Sequence, residues 1–379
     1  MIDNRNGRVG LVGHYQHQNY GDDLLAVLFH RALSRLDVKE TIVFDCDEAI
    51  QQAIKMPDVY TWKSHYKSCD CVVFGGGGIL GELVPGRFSW SIFLDYFKKA
   101  RNLRSAGIPY AMVAVGAGPV RTRIGRLLIR YIVGGAEFVI ARDQSSFAFL
   151  QEFMREDRLI LGTDYAFSLC AEDTAGTVDD VDVLLQDLPE PRLGVNMMML
   201  SGHDRPPVEH DLAAVIRDEL LAAYQAGKFQ SLVLLLNASD STEMINSVAL
   251  LDRLPVRHYI VFVHRNVWET TRLISRLDFL FTMKLHFGIA AYMLNTPVFC
   301  IGYHPKAERF FEQIGKLRYY ESSERYHREM LLFERFFNEY LHFFDARLGR
   351  RDRECERIEE MDRKLSEFVL DCVSRSLKT

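Results

Sequence analysis

Short apolar runs separated by amphipathic stretches recur along the chain. Residues 8–13 form a short apolar run ending in glycine. After a polar loop, Leu24, Leu25, Leu28, Leu33 and Leu36 recur at helical spacing within residues 22–36. Further strand-like runs occupy residues 41–44, 71–74, 110–115 and 138–141, two of them running into Gly75-Gly76-Gly77-Gly78 and Gly116-Ala117-Gly118-Pro119. Short buried strands alternating with helices predict a parallel sheet covered on both faces. An acidic, turn-rich segment at residues 171–191 reads as a linker, after which the pattern restarts. Strands are expected at 192–198, 231–236, 259–263, 279–283 and 298–301, with a helix at 212–226. The predicted architecture is therefore α/β, two doubly wound Rossmann-like domains facing a cleft. The expected boundaries are residues 1–170, a linker at 171–191, residues 192–320, and a C-terminal helical segment at 321–379.

In that last segment Phe333, Phe336, Phe337, Tyr340, Phe343 and Phe344 recur at spacings of three and four. Such a stripe is expected to dock on a core; the sharper reading is an interfacial helix resting on a membrane. Residues 350–364 mix charges of both signs, as a solvated helix face does.

Composition narrows the class. Of 379 residues, 48% are hydrophobic and 26% charged, the balance of a globular protein with sizeable cores. Forty-six Lys+Arg against fifty-one Asp+Glu leave a net charge of −5, so overall charge does not advertise a nucleic-acid surface. Seven cysteines without a CxxC pair suggest reduced thiols, and the Cys69/Cys71 spacing is too close for a zinc knuckle. No ligand cluster for a metal is apparent. Residues 1–10 are polar and no run reads as a membrane span, so a cytoplasmic location is expected.

Candidate chemistry gathers at the predicted strand exits, where sites in wound sheets lie. In residues 13–23, glycines flank a loop from which His14 or Asn19 could offer donors to a charged ligand; Asp22 or Asp23 could equally cap the following helix. Gly76, Gly77 and Gly78 belong to a run of four glycines, which suggests close approach to the main chain. No Lys-Ser/Thr follows, which argues against a P-loop. Arg142, next to Asp143, suits a phosphate or carboxylate, although a structural pair is the plainer alternative. Asp164 is ambiguous between a cap and a site residue. Lys284 and His286 fall at a predicted helix N-terminus, where a cation and an imidazole two residues apart suit an anionic substrate that must be protonated. Lys306 follows the next strand in Gly302-Tyr303-His304-Pro305-Lys306.

Asn19-Tyr20-Gly21-Asp22, the glycine run, residues 116–119, Arg142-Asp143 with Ser145 and Leu150, Asp164-Tyr165-Ala166-Phe167, Lys284-Leu285-His286 with Pro297, and residues 303–306 occur in that order. Together they resemble the polysaccharide pyruvyl transferase family, over residues 8 to 315. The resemblance implies a two-domain fold like that of GT-B glycosyltransferases. It also implies transfer of pyruvate from phosphoenolpyruvate, as a cyclic ketal, onto a sugar of a cell-envelope or exopolysaccharide glycan, with release of phosphate. The partners implied are phosphoenolpyruvate and a sugar acceptor, typically lipid-linked, with the inner face of the membrane as a compatible setting; no cofactor, metal or nucleic acid is required. The family's Arg-Leu-His triplet matches Lys284, Leu285 and His286, a lysine replacing the arginine. Lys284 and Leu285 by this match, and Arg142, Asn19, Gly76, Gly77, Gly78 and Lys306 by their places at the strand exits, are candidates for substrate binding. His286 is the candidate acid, and His14 or Asp22 the candidate base. A nucleotide-sugar glycosyltransferase and a non-catalytic saccharide-binding protein are the alternatives.

Overall fold

The computed structural model describes residues 7–81, 90–174, 178–197, 212–237, 254–326, 332–344 and 348–376. The chain divides into two compact units. The first comprises the residues up to His17, Asp22–Ser168 and those from Glu354 onward; the second comprises Gln18–Gly21 and Leu169–Arg353.

The first unit is built on β1 (Arg8–Val12), β2 (Glu40–Val43), β3 (Cys71–Gly75), β4 (Tyr110–Val115), β5 (Val139–Ala141) and β6 (Leu159–Leu161), all parallel, in the order β2-β1-β3-β4-β5-β6. β3 and β4 are buried along their whole length, so both faces of the sheet are covered, and this is why those runs show no polar alternation. The strand order reverses between β1 and β3, and in wound sheets ligand sites lie beyond the strand C-terminal ends at such a reversal. In the pairing of β4 with β5 the register shifts between Met112 and Val115, and Ala114 adopts φ 56°.

The second unit contains β7 (Arg192–Asn196), β8 (Ser231–Asn237), β9 (His258–His264), β10 (Phe279–Thr282), β11 (Val298–Gly302) and β12 (Tyr320–Ser322). They too are parallel, ordered β12-β11-β10-β7-β8-β9, so the reversal here falls between β7 and β10. The expected end of the strand at Met198 lies outside the described residues.

Several boundaries differ from expectation. The segment expected as a linker carries a helix, Val178–Leu185, inside the second unit. Val181, Leu185 and Leu188 are buried beneath it, and Asp182 accepts from Arg272 at 2.9 Å and from Arg276 at 2.9 and 3.0 Å. The aspartates that resembled a solvated linker are thus partly one helix's ion-pair face. The C-terminal segment is also not one body: Glu354 onward belongs to the first unit. There the helix Leu348–Ser376 buries Ile358, Met361, Leu365, Phe368, Val369, Cys372 and Val373, a heptad-like stripe that needs a partner surface. It finds one in Gly7, Phe138 and Gly162: a Cβ on Gly162 would stand 2.7 Å from Met361 Sδ, and Phe138 meets Phe368 edge-on at 5.7 Å. Phe333, Phe336, Phe337, Phe343 and Phe344 are buried in the second unit's core, with Phe299 and Phe336 4.2 Å apart. The aromatic stripe is core rather than a membrane face.

Candidate functional site

In the first unit the residues at the strand reversal are positioned by tight packing at the ends of β1 and β3. Tyr15 is buried and its hydroxyl donates to the Gly75 carbonyl at 2.6 Å. A Cβ on Gly13 would lie 2.1 Å from the Tyr15 ring and one on Gly75 2.9 Å from its hydroxyl, so both glycines make room for this side chain. Gly76 and Gly77 have φ values of +70° and +83°, and a Cβ on Gly76 would meet Leu25 Cδ1 at 2.9 Å. Three of the four consecutive glycines therefore have internal reasons. Gly78 differs: it is exposed, and a Cβ there would meet nothing within 4 Å.

These glycines bring the predicted residues of this unit together. The Gly116 N–H donates to the Gly77 carbonyl at 2.8 Å, and a Cβ on Gly116 would stand 3.2 Å from Gly78 Cα and 2.7 Å from Arg142 Nη2. Arg142 is 8% exposed, with Asp164 at 3.6 Å and Asp143 at 3.7 Å. Asp143 also caps the helix Gln144–Leu150, accepting from Ser146 N–H at 2.8 Å, and Asp164 accepts from Ala166 N–H at 3.0 Å. Both carboxylates therefore serve structure while orienting the guanidinium. On the other side, a Cβ on Gly77 would lie 3.8 Å from Asp22 Oδ1, and Asp22 acts electrostatically on His14. Burial holds His14 below the ordinary imidazole range; Asp22 opposes this, while His17 and Lys99 reinforce it. The His14 and His17 rings stand 4.4 Å apart.

Asp22 does not cap the helix. The helix runs Tyr20–Ser34, so Asp22 and Asp23 lie in its first turn, favoured there by the helix dipole, and Asn19 precedes it with its side-chain oxygen 3.3 Å from the Gly21 N–H. Asp23 is fully buried. Burial pushes its carboxyl up to about 9, with repulsion from Asp47 and Asp22 adding to the effect.

In the second unit the reversal between β7 and β10 lies at Asn196 and Thr282, which are paired in register. The Thr282 hydroxyl lies 3.2 Å from Asn196 Oδ1 and 3.1 Å from the Lys284 carbonyl, and it accepts from the Lys284 N–H at 3.0 Å. That hydroxyl fixes the backbone at the start of the helix Leu285–Met293, whose N-cap position is Lys284. Its remaining residues, Leu285 and Phe287 through Met293, are buried, so the half-buried His286 is the polar exception on an otherwise apolar helix. Leu285, at 6% exposure, packs in the core and sets the spacing between Lys284 and His286.

The Gln18–Gly21 segment packs here. The Tyr20 N–H donates to Asn237 Oδ1 at 3.1 Å, its hydroxyl lies 3.0 Å from Thr271 Oγ1, and its ring meets Phe287 at 4.6 Å. A Cβ on Gly21 would stand 2.0 Å from His286 Nδ1. Asn19, Gly21, Lys284 and His286 thus share one corner of this unit. Lys306 lies after β11, the neighbour of β10, and its N–H donates to His304 Nδ1 at 3.2 Å at the start of the helix Pro305–Gln313.

Four adjacent strands of this sheet, β10, β7, β8 and β9, end in Thr282, Asn196, Asn237 and His264, all buried. None of the four stands out in the sequence, although each is a polar residue closing an apolar run. Asn196 donates to the Leu235 carbonyl at 2.9 Å, and Asn237 Nδ2 has no hydrogen-bond partner among the described residues. Burial, with Lys284 adding to it, holds His264 at about 4 while its Nδ1 lies 2.7 Å from Thr270 Oγ1. The imidazole is therefore neutral.

No group of three or more His, Cys, Asp or Glu side chains among the described residues could hold a metal ion, and no helix among them is long and apolar enough to cross a membrane.

Comparisons with known proteins bear on both fold and family. UDP-N-acetylglucosamine 2-epimerase from Rickettsia bellii is 11% identical, with a TM-score of 0.63 over 99% of each chain. The same enzyme from Neisseria meningitidis, solved with UDP-GlcNAc bound, is 11% identical with a TM-score of 0.60 over 96% of this chain and 100% of its own. A glycosyltransferase from Rickettsia africae is 9% identical with a TM-score of 0.52 over 98% and 99%. These likenesses show a GT-B-like fold. No curated relative matches by sequence. The profile of the polysaccharide pyruvyl transferase family matches residues 19–305, a span that runs from Asn19 through Arg142 and the Lys284-Leu285-His286 corner to Pro305. By that match over most of its length, the chain belongs to the polysaccharide pyruvyl transferase family.

Proposed function

We propose that this transferase moves pyruvate from phosphoenolpyruvate onto two hydroxyls of an envelope or exopolysaccharide sugar. The observation that carries the proposal is the placement of Lys284 and His286. A cation occupies the N-cap position of a helix at the strand reversal of its sheet, and a half-buried imidazole follows in the first turn. Phosphoenolpyruvate is small and carries about three negative charges near neutrality, since a phosphate contributes close to two. A lysine beside helix N–H groups meets such a ligand as a point charge rather than as a fork.

In the proposed reaction His286 delivers its proton to the methylene carbon. The carbocation left at C2 is attacked by one sugar hydroxyl, which loses its proton as the C–O bond forms. A second hydroxyl then displaces phosphate, closing the ketal and giving up its own proton. His14, with Asp22 beside it, is the base proposed for the sugar, and Arg142 with Gly76, Gly77 and Gly78 are proposed polar contacts. Asn19 and Lys306 are further proposed polar contacts.

The test is phosphate release together with mass-spectrometric detection of the pyruvyl adduct, using phosphoenolpyruvate and a panel of saccharides, lipid-linked ones included. His286→Ala should lose about 10² to 10⁴ of turnover with its melting temperature retained. Lys284→Arg should stay active and Lys284→Met should raise the KM for phosphoenolpyruvate. The UDP-GlcNAc bound by the Neisseria meningitidis structure suggests the competing donor class. Thermal stabilisation by UDP and not by phosphoenolpyruvate would favour a nucleotide-sugar enzyme. Stabilisation by glycan alone would favour a binding protein.

A further inference from the structure

Residues 96–136 contain eight Lys and Arg and no Asp or Glu, in a chain whose net charge is −5. Most of these cations lie on two helices of the first unit, Trp90–Ala106 and Arg123–Gly134. The helices adjoin: Phe97 meets Tyr131 at 4.9 Å, and the Arg104 guanidinium lies 4.3 Å over the Tyr131 ring. The inner face of Arg123–Gly134 buries Gly125, Ile129, Ile132 and Val133. Its outer face carries Arg123, Ile124, Leu127 and Arg130, and Ile124 and Leu127 are 56% and 64% exposed. Arg126 is paired with Glu152, whereas Lys98, Arg101, Arg123 and Arg130 form no ion pair among the described residues.

We propose that this face docks the protein on an anionic lipid bilayer, Ile124 and Leu127 entering the headgroup region while Arg123 and Arg130 beside them meet lipid phosphates. Aliphatic tips flanked on one helix face by cations, here Arg123 and Arg130, are what an interfacial helix requires, and basic side chains there are attracted by a negative leaflet. Two other occupants fit worse. A nucleic acid would gain charge contacts but nothing from exposed aliphatic tips, because bases stack on aromatic rings. A second copy related by a two-fold axis would set arginine against arginine. The inference does not depend on the reaction proposed above.

The experiment is co-sedimentation of the full chain with phosphatidylcholine vesicles and with vesicles containing phosphatidylglycerol. Binding is expected only to the anionic vesicles and should weaken with salt. Arg123→Gln and Arg130→Gln should each lower partitioning roughly fivefold. Ile124→Ser combined with Leu127→Ser should lower it further while leaving the melting temperature unchanged, because those side chains are exposed. The proposal is overturned if the unsubstituted chain stays in solution with anionic vesicles, or if the Ser double variant sediments as well as it does. It also fails if a duplex RNA competitor, but not added anionic lipid, displaces the chain. A concentration-dependent dimer abolished by the same double substitution would assign the face to a second copy instead.

Discussion

A Cβ added to Gly21 would stand 2.0 Å from Nδ1 of His286, and 2.6 and 2.8 Å from its Cγ and Cβ. The first turn of one helix therefore sets where the imidazole of another can lie. Gly21→Ala must displace that ring. If His286 is the acid as proposed, turnover should fall by about 10², the cost of an ångström-scale misplacement at a reacting group, and by more than any loss of melting temperature accounts for. Phosphate release and a thermal melt on the same sample check both halves. A fully active Gly21→Ala protein would count against the proposed role of His286.

The glycine run should divide by substitution. Gly76→Ala places a side chain at φ +70° and within 2.9 Å of Leu25, and should destabilise the protein by about 1–3 kcal/mol. Gly78→Ala meets open space and should melt like the parent protein. If Gly78 lies against substrate as proposed, the same change should raise a KM. Denaturant titration and steady-state kinetics separate the two residues.

Stability should depend on the proton of Asp23. The folded carboxyl titrates at about 9 against 3.8 for the free group, so the native state keeps a proton that the unfolded chain releases. Stability then falls as pH rises from about 4 towards 9. Asp23→Asn has no proton to lose, so its melting temperature should decline less over that range and exceed the parent's at pH near 8. Parallel curves for the two proteins would rule out a buried protonated Asp23.

His264 reports on its neighbour. Its folded value of about 4 lies below the free 6.5, so stability from the neutral imidazole is present above 6.5 and lost as pH falls towards 4. Burial is the larger cause and the Lys284 charge the second. Lys284→Gln should therefore raise the His264 value in an NMR titration without bringing it to 6.5. An unmoved value would mean that the Lys284 ammonium does not act on the His264 ring.

Apolar runs such as Tyr110–Val115 and Phe279–Thr282 were legible in the chain because a strand buried on both faces leaves no other composition available. The three-residue edge strands Leu159–Leu161 and Tyr320–Ser322 were not, since so short a segment shows no periodicity. The candidate site was legible only at one junction. Lys284 and His286 stand at a predictable strand-to-helix junction. The four buried polar residues Thr282, Asn196, Asn237 and His264 look unremarkable until their strands are set side by side.

By itself the sequence determined the α/β class, the tandem repetition of wound sheets, and the strand exits at which charged and glycine residues collect, because each follows from local hydrophobic patterning and backbone freedom. Only tertiary structure decided the rest. Strand order, with β3 inserted beside β1 and β7 beside β10, follows from which apolar faces can be covered together, not from any local signal. The same holds for the return of Glu354 onward to the first unit and the seating of Gly21 against His286. Both join residues hundreds of positions apart, where packing of whole surfaces outweighs anything a short window of sequence can express.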